Sequence, residues 1–291
     1  MVLEAWQPPV SVNVASAWGS VASVRSDATA PPRHDRDQPV RTESTNVPSR
    51  PNPGAGSTEE ATALPGRLAV MPPVIVAIDG PSGSGKSSVS KGVASRLGFE
   101  YLDTGAMYRA VTWWALENHI GTDEIAGRLD DCAIISGTDP AAPFVTVNAV
   151  DVSEAIRTPE VTAAVSRYSA VPQVRTMLVQ MQREAAGNAG KGLVAEGRDL
   201  GTVVFPDANL KVYLTADVQA RAERRAAENA ERGHDADVTD THQSLAARDA
   251  ADSGRAVSPL QVAEDAVEVD ATFMTLPEVI DHVAALVLEH S

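Results

Sequence analysis

Residues 74–98, VIVAIDGPSGSGKSSVSKGVASRLG, constrain the fold more than any other part of this chain. The opening VIVAI is an unbroken apolar run closed by Asp79, the pattern of a short strand buried on both faces. Residues 86–98 place Val89, Val93 and Leu97 on one helical face and stop at Gly98, so a helix is expected there. Between strand and helix, GPSGSGKSS satisfies G-x-x-x-x-G-K-[ST] through Gly80, Gly85, Lys86 and Ser87. Glycines let successive backbone N–H groups wrap an anion at the positive end of the helix. The loop residues Gly80, Pro81, Ser82, Gly83, Ser84, Gly85, Lys86, Ser87 and Ser88 therefore form a candidate nucleotide site. In it Lys86 reaches the β and γ phosphate oxygens, and the Ser87 hydroxyl is suited to Mg²⁺.

The strand and helix pattern repeats downstream. LVAEG (193–197), LKVYLTA (210–216) and AVEVD (266–270) read as strands. Pro159, Pro172 and Pro277 each open a helix, and Asp217 caps one running through Glu231. An α/β fold with a central parallel sheet flanked by helices follows. Between Leu129 and Val152, AIISG and PFVTVNAVDV look like a small antiparallel hairpin inserted into that series.

Residues 1–70 differ in texture, carrying nine of the 19 prolines with many serines and threonines. So little apolar area does not offset ordering entropy, and the segment is expected to be disordered. Met71 stands directly before the first strand, which suggests translation starting there, with the first 70 residues not translated. The net charge of −15 disfavours nucleic acid and anionic membranes as partners. No window holds the roughly 18 apolar residues of a membrane span, and no signal peptide is legible. The single cysteine, Cys132, excludes an internal disulfide framework and fits a reducing compartment, so a cytoplasmic location is expected.

A phosphate loop implies a nucleotide without specifying the reaction. There is no Asn-Lys dipeptide of the kind guanine-specific loops carry. Several motifs place arginine beside carboxylate or a helix start: DTGAMYR (103–109), IRTPEV (156–161), VPQVR (171–175), EGRDLGTVVFPDA (196–208) and ARDAADSGR (247–255). If they converge, Arg109 and Arg198 can fork onto a phosphate while Asp199, Arg175 and Arg255 read a base edge. Singly, each arginine reads as a solvated surface charge. The Asp103-Thr104-Gly105 triplet also occurs in aspartic proteases, but such a site needs two of these loops to pair its carboxylates, and one is present. Another small-molecule P-loop kinase, acting on UMP, AMP or shikimate, and a catalytically silent nucleotide-binding regulator are the other readings of these residues.

The order and spacing of VIVAIDGPSGSGKSS, YLDTGAMYRAV, VSEAIRTPEV, EGRDLGTVVFPDANLKVYL and the closing arginines mean that residues 72–291 resemble the bacterial cytidylate kinases, P-loop nucleoside monophosphate kinases. The resemblance implies a kinase domain over 71–291: a core sheet, an acceptor-nucleotide insert at about 120–180 and a mobile lid at about 222–240. It implies ATP-dependent, Mg²⁺-assisted phosphorylation of CMP and dCMP by a monomer. It places Thr104, Ser166, Arg175, Asp199 and Arg255 around cytosine, and Arg248 and Asp252 at the pentose. Arg109 and Arg198 would hold the acceptor phosphate, Arg157 would belong to the acceptor insert, and Arg221, Arg224 and Arg225 would meet the donor from the lid. Asp103 becomes a turn and capping residue. Two departures from the family pattern are Glu196, where an aspartate is common, and Ala250-Ala251, where charge is usual.

Overall fold

A computed structural model of the chain describes residues 72–231, 238–255 and 257–290. The expectations for residues 1–70 and Met71, and the part of the expected lid at 232–237, lie outside the described residues. In chain order the elements are β1 (Val74–Asp79), α1 (Lys86–Leu97), β2 (Glu100–Asp103), α2 (Thr104–Glu117), β3 (Ile134–Ser136), β4 (Val145–Val147), β5 (Val150–Asp151), α3 (Pro159–Ser169), α4 (Pro172–Asn188), β6 (Gly192–Glu196), β7 (Leu210–Thr215), α5 (Val218–Glu231), α6 (Val238–Ser253), β8 (Val267–Asp270) and α7 (Leu276–Glu289).

Five strands form a parallel sheet in the order β2-β6-β1-β7-β8, with β1 at its centre. Strand side chains alternate between faces, and helices cover both. Val76 and Ile78 pack with Val89, Val93, Val279 and Val283 of α1 and α7; Ala77 faces the larger cluster built on α2 and α4, with Met107, Val111 and Leu178. This double coverage is why β1 and β6 read as continuous apolar runs. No helix among the described residues is long and apolar enough to cross a membrane.

Local signals set the helix starts. Asp103 accepts the Ala106 N–H at 2.8 Å and caps α2; Thr158 caps α3, with Pro159 in its first turn. Asp217 accepts from the Gln219 N–H at 2.8 Å at the start of α5. The inserted sequence folds as expected into an antiparallel sheet, but with three strands, β3-β4-β5, because Asn148 and Ala149, at φ 50° and 64°, turn the chain within PFVTVNAVDV. Residues 200–204, LGTVV, form a single π-helical turn that no local pattern announces.

That turn has a specific cause. The Asp79 carboxylate, at the end of β1 and 5% exposed, accepts the N–H groups of Leu200 at 3.0 Å and Gly201 at 2.8 Å. The adjoining segment is tied to the same strand end: Gly197 N–H donates to the Ile78 carbonyl and Arg198 Nη1 to the Gly80 carbonyl, both at 3.0 Å. Gly80 itself has no room for a side chain, since a Cβ there would lie 2.1 Å from the Leu214 carbonyl oxygen. The end of β1 thus fixes both the glycine loop and residues 197–201.

Burial raises the Asp79 carboxyl to about 6, while the Gly201 and Leu200 N–H bonds act in the opposite sense. The folded state therefore holds this proton more tightly than the unfolded chain, and the group's contribution to stability falls as pH rises from about 4 to about 6. Asp79→Asn does not titrate, so its stability relative to the parent should improve by on the order of 1–2 kcal/mol between pH 4 and pH 7. Urea midpoints across that range measure this, and a variant-minus-parent difference independent of pH contradicts it.

Candidate active site

The glycine loop bends from the end of β1 into α1. Lys86 opens the helix and is 6% exposed; its Nζ turns back to the Pro81 carbonyl at 2.7 Å and the Ser84 hydroxyl at 3.4 Å. Burial, and then the Arg198 guanidinium, holds its ammonium well below the usual lysine range. An anion entering the cradle would favour the charged form and offer Nζ a better acceptor than the loop's own carbonyl. From behind, Arg221 braces the loop by donating to the Ser82 carbonyl at 3.0 Å and pairing with Asp249, which accepts the Ser82 N–H at 2.9 Å.

Beside the cradle lies a carboxylate cluster. Ser87 Oγ donates to Glu196 Oε2 at 2.9 Å, the Tyr101 hydroxyl donates to Glu196 Oε1, and Thr104 Oγ1 donates to the Glu196 carbonyl at 2.7 Å. Burial, and then the neighbouring Asp103 carboxylate, raises the Glu196 carboxyl above its usual range. Asp103 in turn stands 3.6 Å from Arg157.

Opposite lies a set of arginines. Arg175 and Asp199 form a buried ion pair, with Arg175 Nη1 also donating to the Ser169 carbonyl at 3.3 Å. Asp252 bridges two cations, Arg198 Nε at 3.0 Å and Arg255 Nη2 at 3.0 Å. Arg109 is aimed by the Ile156 carbonyl at 2.9 Å and the Thr162 hydroxyl at 3.0 Å. Burial lowers its guanidinium to about 9, helped by the cations of Arg248, Arg225 and Arg157. Burial, and then Arg198, likewise lowers Arg248 to about 10.

One cleft joins these groups. Its walls include Ser82, Gly83, Gly85, Lys86, Ser87 and Ser88 from the glycine loop and α1, and also Thr104, Arg109, Arg157, Ser166, Arg175, Arg198, Asp199, Arg225, Arg248, Asp252 and Arg255. Eight cationic side chains face it against four acidic ones, Asp103, Glu196, Asp199 and Asp252. In a chain with net charge −15, this concentrates positive potential in one concavity, the arrangement that draws polyanions in.

Two of the expected cations fall elsewhere. Arg221 is buried behind the loop, and Arg224 donates to the Ala271 carbonyl at 2.6 Å; of the three α5 arginines, Arg225 lines the cleft. Gly80, Pro81 and Ser84 support the loop without facing the cleft; their oxygens receive Arg198 and Lys86. Residue patterns missed Tyr108 and Ser169, which also line the wall, and Asp79. A signal for Asp79 exists: a carboxylate closing a fully buried strand needs internal partners. Tyr108 carries no comparable signal, being one aromatic residue in a largely apolar helix.

The sequence pattern of the family described as cytidylate kinase matches residues 76–289. A cytidylate kinase of Streptomyces avermitilis is 54% identical over 227 residues, covering 77% of this chain and 96% of the relative. That of Streptomyces griseus subsp. griseus is 56% identical over 217 residues, 74% of this chain and 92% of the relative. One from Streptococcus pneumoniae is 47% identical over 219 residues, 74% and 97%. With a match running from within β1 to the end of α7, and relatives about half identical over most of both chains, the chain belongs to the cytidylate kinase family.

Proposed function

We propose that this protein transfers the γ-phosphoryl group of ATP to CMP and dCMP, reversibly, giving CDP and dCDP. The observation that carries the proposal is the single cleft in which Lys86 and Ser87 face Arg109, Arg198 and the Arg175–Asp199 pair. Residues 80–88 take the donor triphosphate. Arg109 and Arg198 clamp the acceptor phosphate with forked geometry that lysine cannot reproduce. Arg248 and Asp252 meet the pentose, and Thr104, Ser166, Arg175, Asp199 and Arg255 surround cytosine. Arg157 closes the acceptor side from the insert, and Arg225 approaches the donor from α5 within a lid over 222–240. The protein works as a cytoplasmic monomer on free nucleotides, and neither nucleic acid nor membrane takes part.

The chemistry asked of the side chains is alignment and charge neutralisation. The acceptor is already an anionic phosphate, so no general base is needed. Guanidinium groups fixed by backbone carbonyls and carboxylates do not reorganise as charge spreads over the transferring group, and closing the cleft excludes water. A divalent cation fits beside the loop: Ser87 offers a hard hydroxyl oxygen, and Glu196, its carboxyl raised by burial and by Asp103, is a site that positive charge would relieve. Mg²⁺ held there with ATP would neutralise the β and γ oxygens. One or two protein oxygens suffice because substrate phosphates supply the others.

Lys86→Ala should lower kcat by about 10²–10³; single-turnover ADP formation measures this, and near-normal turnover contradicts the assignment. A coupled assay with CMP, dCMP, UMP and AMP tests the substrate class: the cytosine nucleotides should dominate, and a preference for UMP or AMP, or ATP binding without acceptor-stimulated ADP formation, contradicts the proposal. In the same assay Asp199→Asn should cut the CMP-to-UMP preference by about tenfold or more, since a buried carboxylate that accepts from the cytosine amino group penalises the exchanged edge. Equal loss for both acceptors contradicts a base-reading role.

A further inference from the structure

Behind Arg175 of the base wall lies a buried polar cluster formed with Tyr108 and Gln182, neither of which has a role in the proposed reaction. The inward face of α4 carries Arg175, Leu178 and Gln182. Arg175 and Gln182, seven positions apart, lie two turns apart on one side of the helix, and long helical side chains lean toward the helix N-terminus, the direction in which Arg175 lies from Gln182. Tyr108 rises from α2 against them, its ring centroid 5.3 Å from the Arg175 guanidinium carbon.

Four polar atoms here are buried with no hydrogen-bond partner in the protein: the Tyr108 hydroxyl, Arg175 Nε, and both the oxygen and the nitrogen of the Gln182 amide. Gln182 is 0% exposed. Burial raises the Tyr108 phenol to about 12, opposed chiefly by the Arg175 guanidinium and more weakly by the Gln182 amide, which is near enough to act on it. A core amide unpaired at both ends is destabilising, and leucine or methionine would fill the same space without that penalty. The four atoms complement one another. The amide nitrogen can donate to the phenol oxygen, and one buried water can accept from Arg175 Nε and donate to the amide oxygen.

We infer that Gln182 is a positioning residue for base recognition: its amide, directly and through one buried water, joins the Tyr108 hydroxyl and Arg175 Nε into a frame that orients the Arg175 guanidinium toward Asp199. Arg175 Nη1 and Nη2 are already committed to Ser169 and Asp199. Fixing Nε holds the whole fork, so the edge offered to a base stays constant. Without that anchor the fork can swing on its flexible stem, and the Arg175–Asp199 pair presents a less defined pattern. The inference rests on the proposal that this wall reads cytosine.

Gln182→Met and Tyr108→Phe test it. For Gln182→Met the account expects an undiminished thermal midpoint, unchanged KM for ATP and kcat close to the parent, with KM for CMP raised about 5–10-fold and the CMP-to-UMP preference reduced. The double variant should be no worse than the poorer single one, because both changes break the same frame. An unaltered KM for CMP and unaltered preference, or equal losses for ATP and CMP with a lowered midpoint, overturns it. A second readout is independent of turnover and so of the assigned substrate. In ¹⁵N-labelled parent protein the Gln182 side-chain amide should exchange slowly and shift in Tyr108→Phe; an amide signal that Tyr108→Phe leaves in place overturns the frame even if CMP is not the acceptor.

Discussion

Two backbone N–H groups, those of Leu200 and Gly201, converge on the Asp79 carboxylate at the end of the central strand, and the relative placement of both halves of the cleft depends on that contact. Asp79 immediately precedes the glycine loop, and Arg198 and Asp199 immediately precede the turn that the carboxylate holds. A shift at this junction moves Arg198 and Asp199 together relative to the cradle. The supporting bonds from Gly197 to Ile78 and from Arg198 to Gly80 make the junction a short extension of the β1–β6 ladder. The site is therefore built on the most deeply packed part of the sheet, which gives it the rigidity that alignment of two anions demands.

The electrostatics follow from that rigidity. Eight cations converge on one concavity, and several are held by carbonyls and carboxylates that prevent them from turning away from one another. Burial and then mutual repulsion lower Lys86, Arg109 and Arg248 even with carboxylates near each, so an incoming anion would favour their charged forms. Glu196, displaced in the opposite direction by burial and Asp103, marks the point where positive charge is wanted instead. One cleft thus sets a wall of cations beside the part-buried Ser87–Glu196 contact. The proposed binding of a polyphosphate with its metal would answer both.

Much of this was legible in the residues, and the exceptions have physical causes. VIVAID and LVAEG read as buried strands because helices cover both sheet faces, and the glycine loop carries its geometry in its spacing. LGTVV looks like strand by composition, yet Asp79 captures its first N–H groups and bends it into a wide turn; the partner lies 121 positions away, beyond any local pattern. Arg221, Arg224 and Arg225 are chemically alike and share one helix. Only tertiary contacts, with Ser82 and Asp249 for the first and Ala271 for the second, determine which of the three meets the cleft. Arg109 and Arg198, by contrast, sit in short motifs next to a strand end, where the chain has little freedom to point them elsewhere.

The central claim is that donor and acceptor occupy one continuous cleft, phosphate to phosphate. Calorimetric titration with a bisubstrate compound, cytidine and adenosine joined through their 5′ positions by a chain of phosphates, tests it most directly. The account predicts one compound bound per chain, with prior saturation by either CMP or ATP weakening its binding. A compound displaced by one nucleotide and indifferent to the other would show that the two sites do not meet, and would contradict the account.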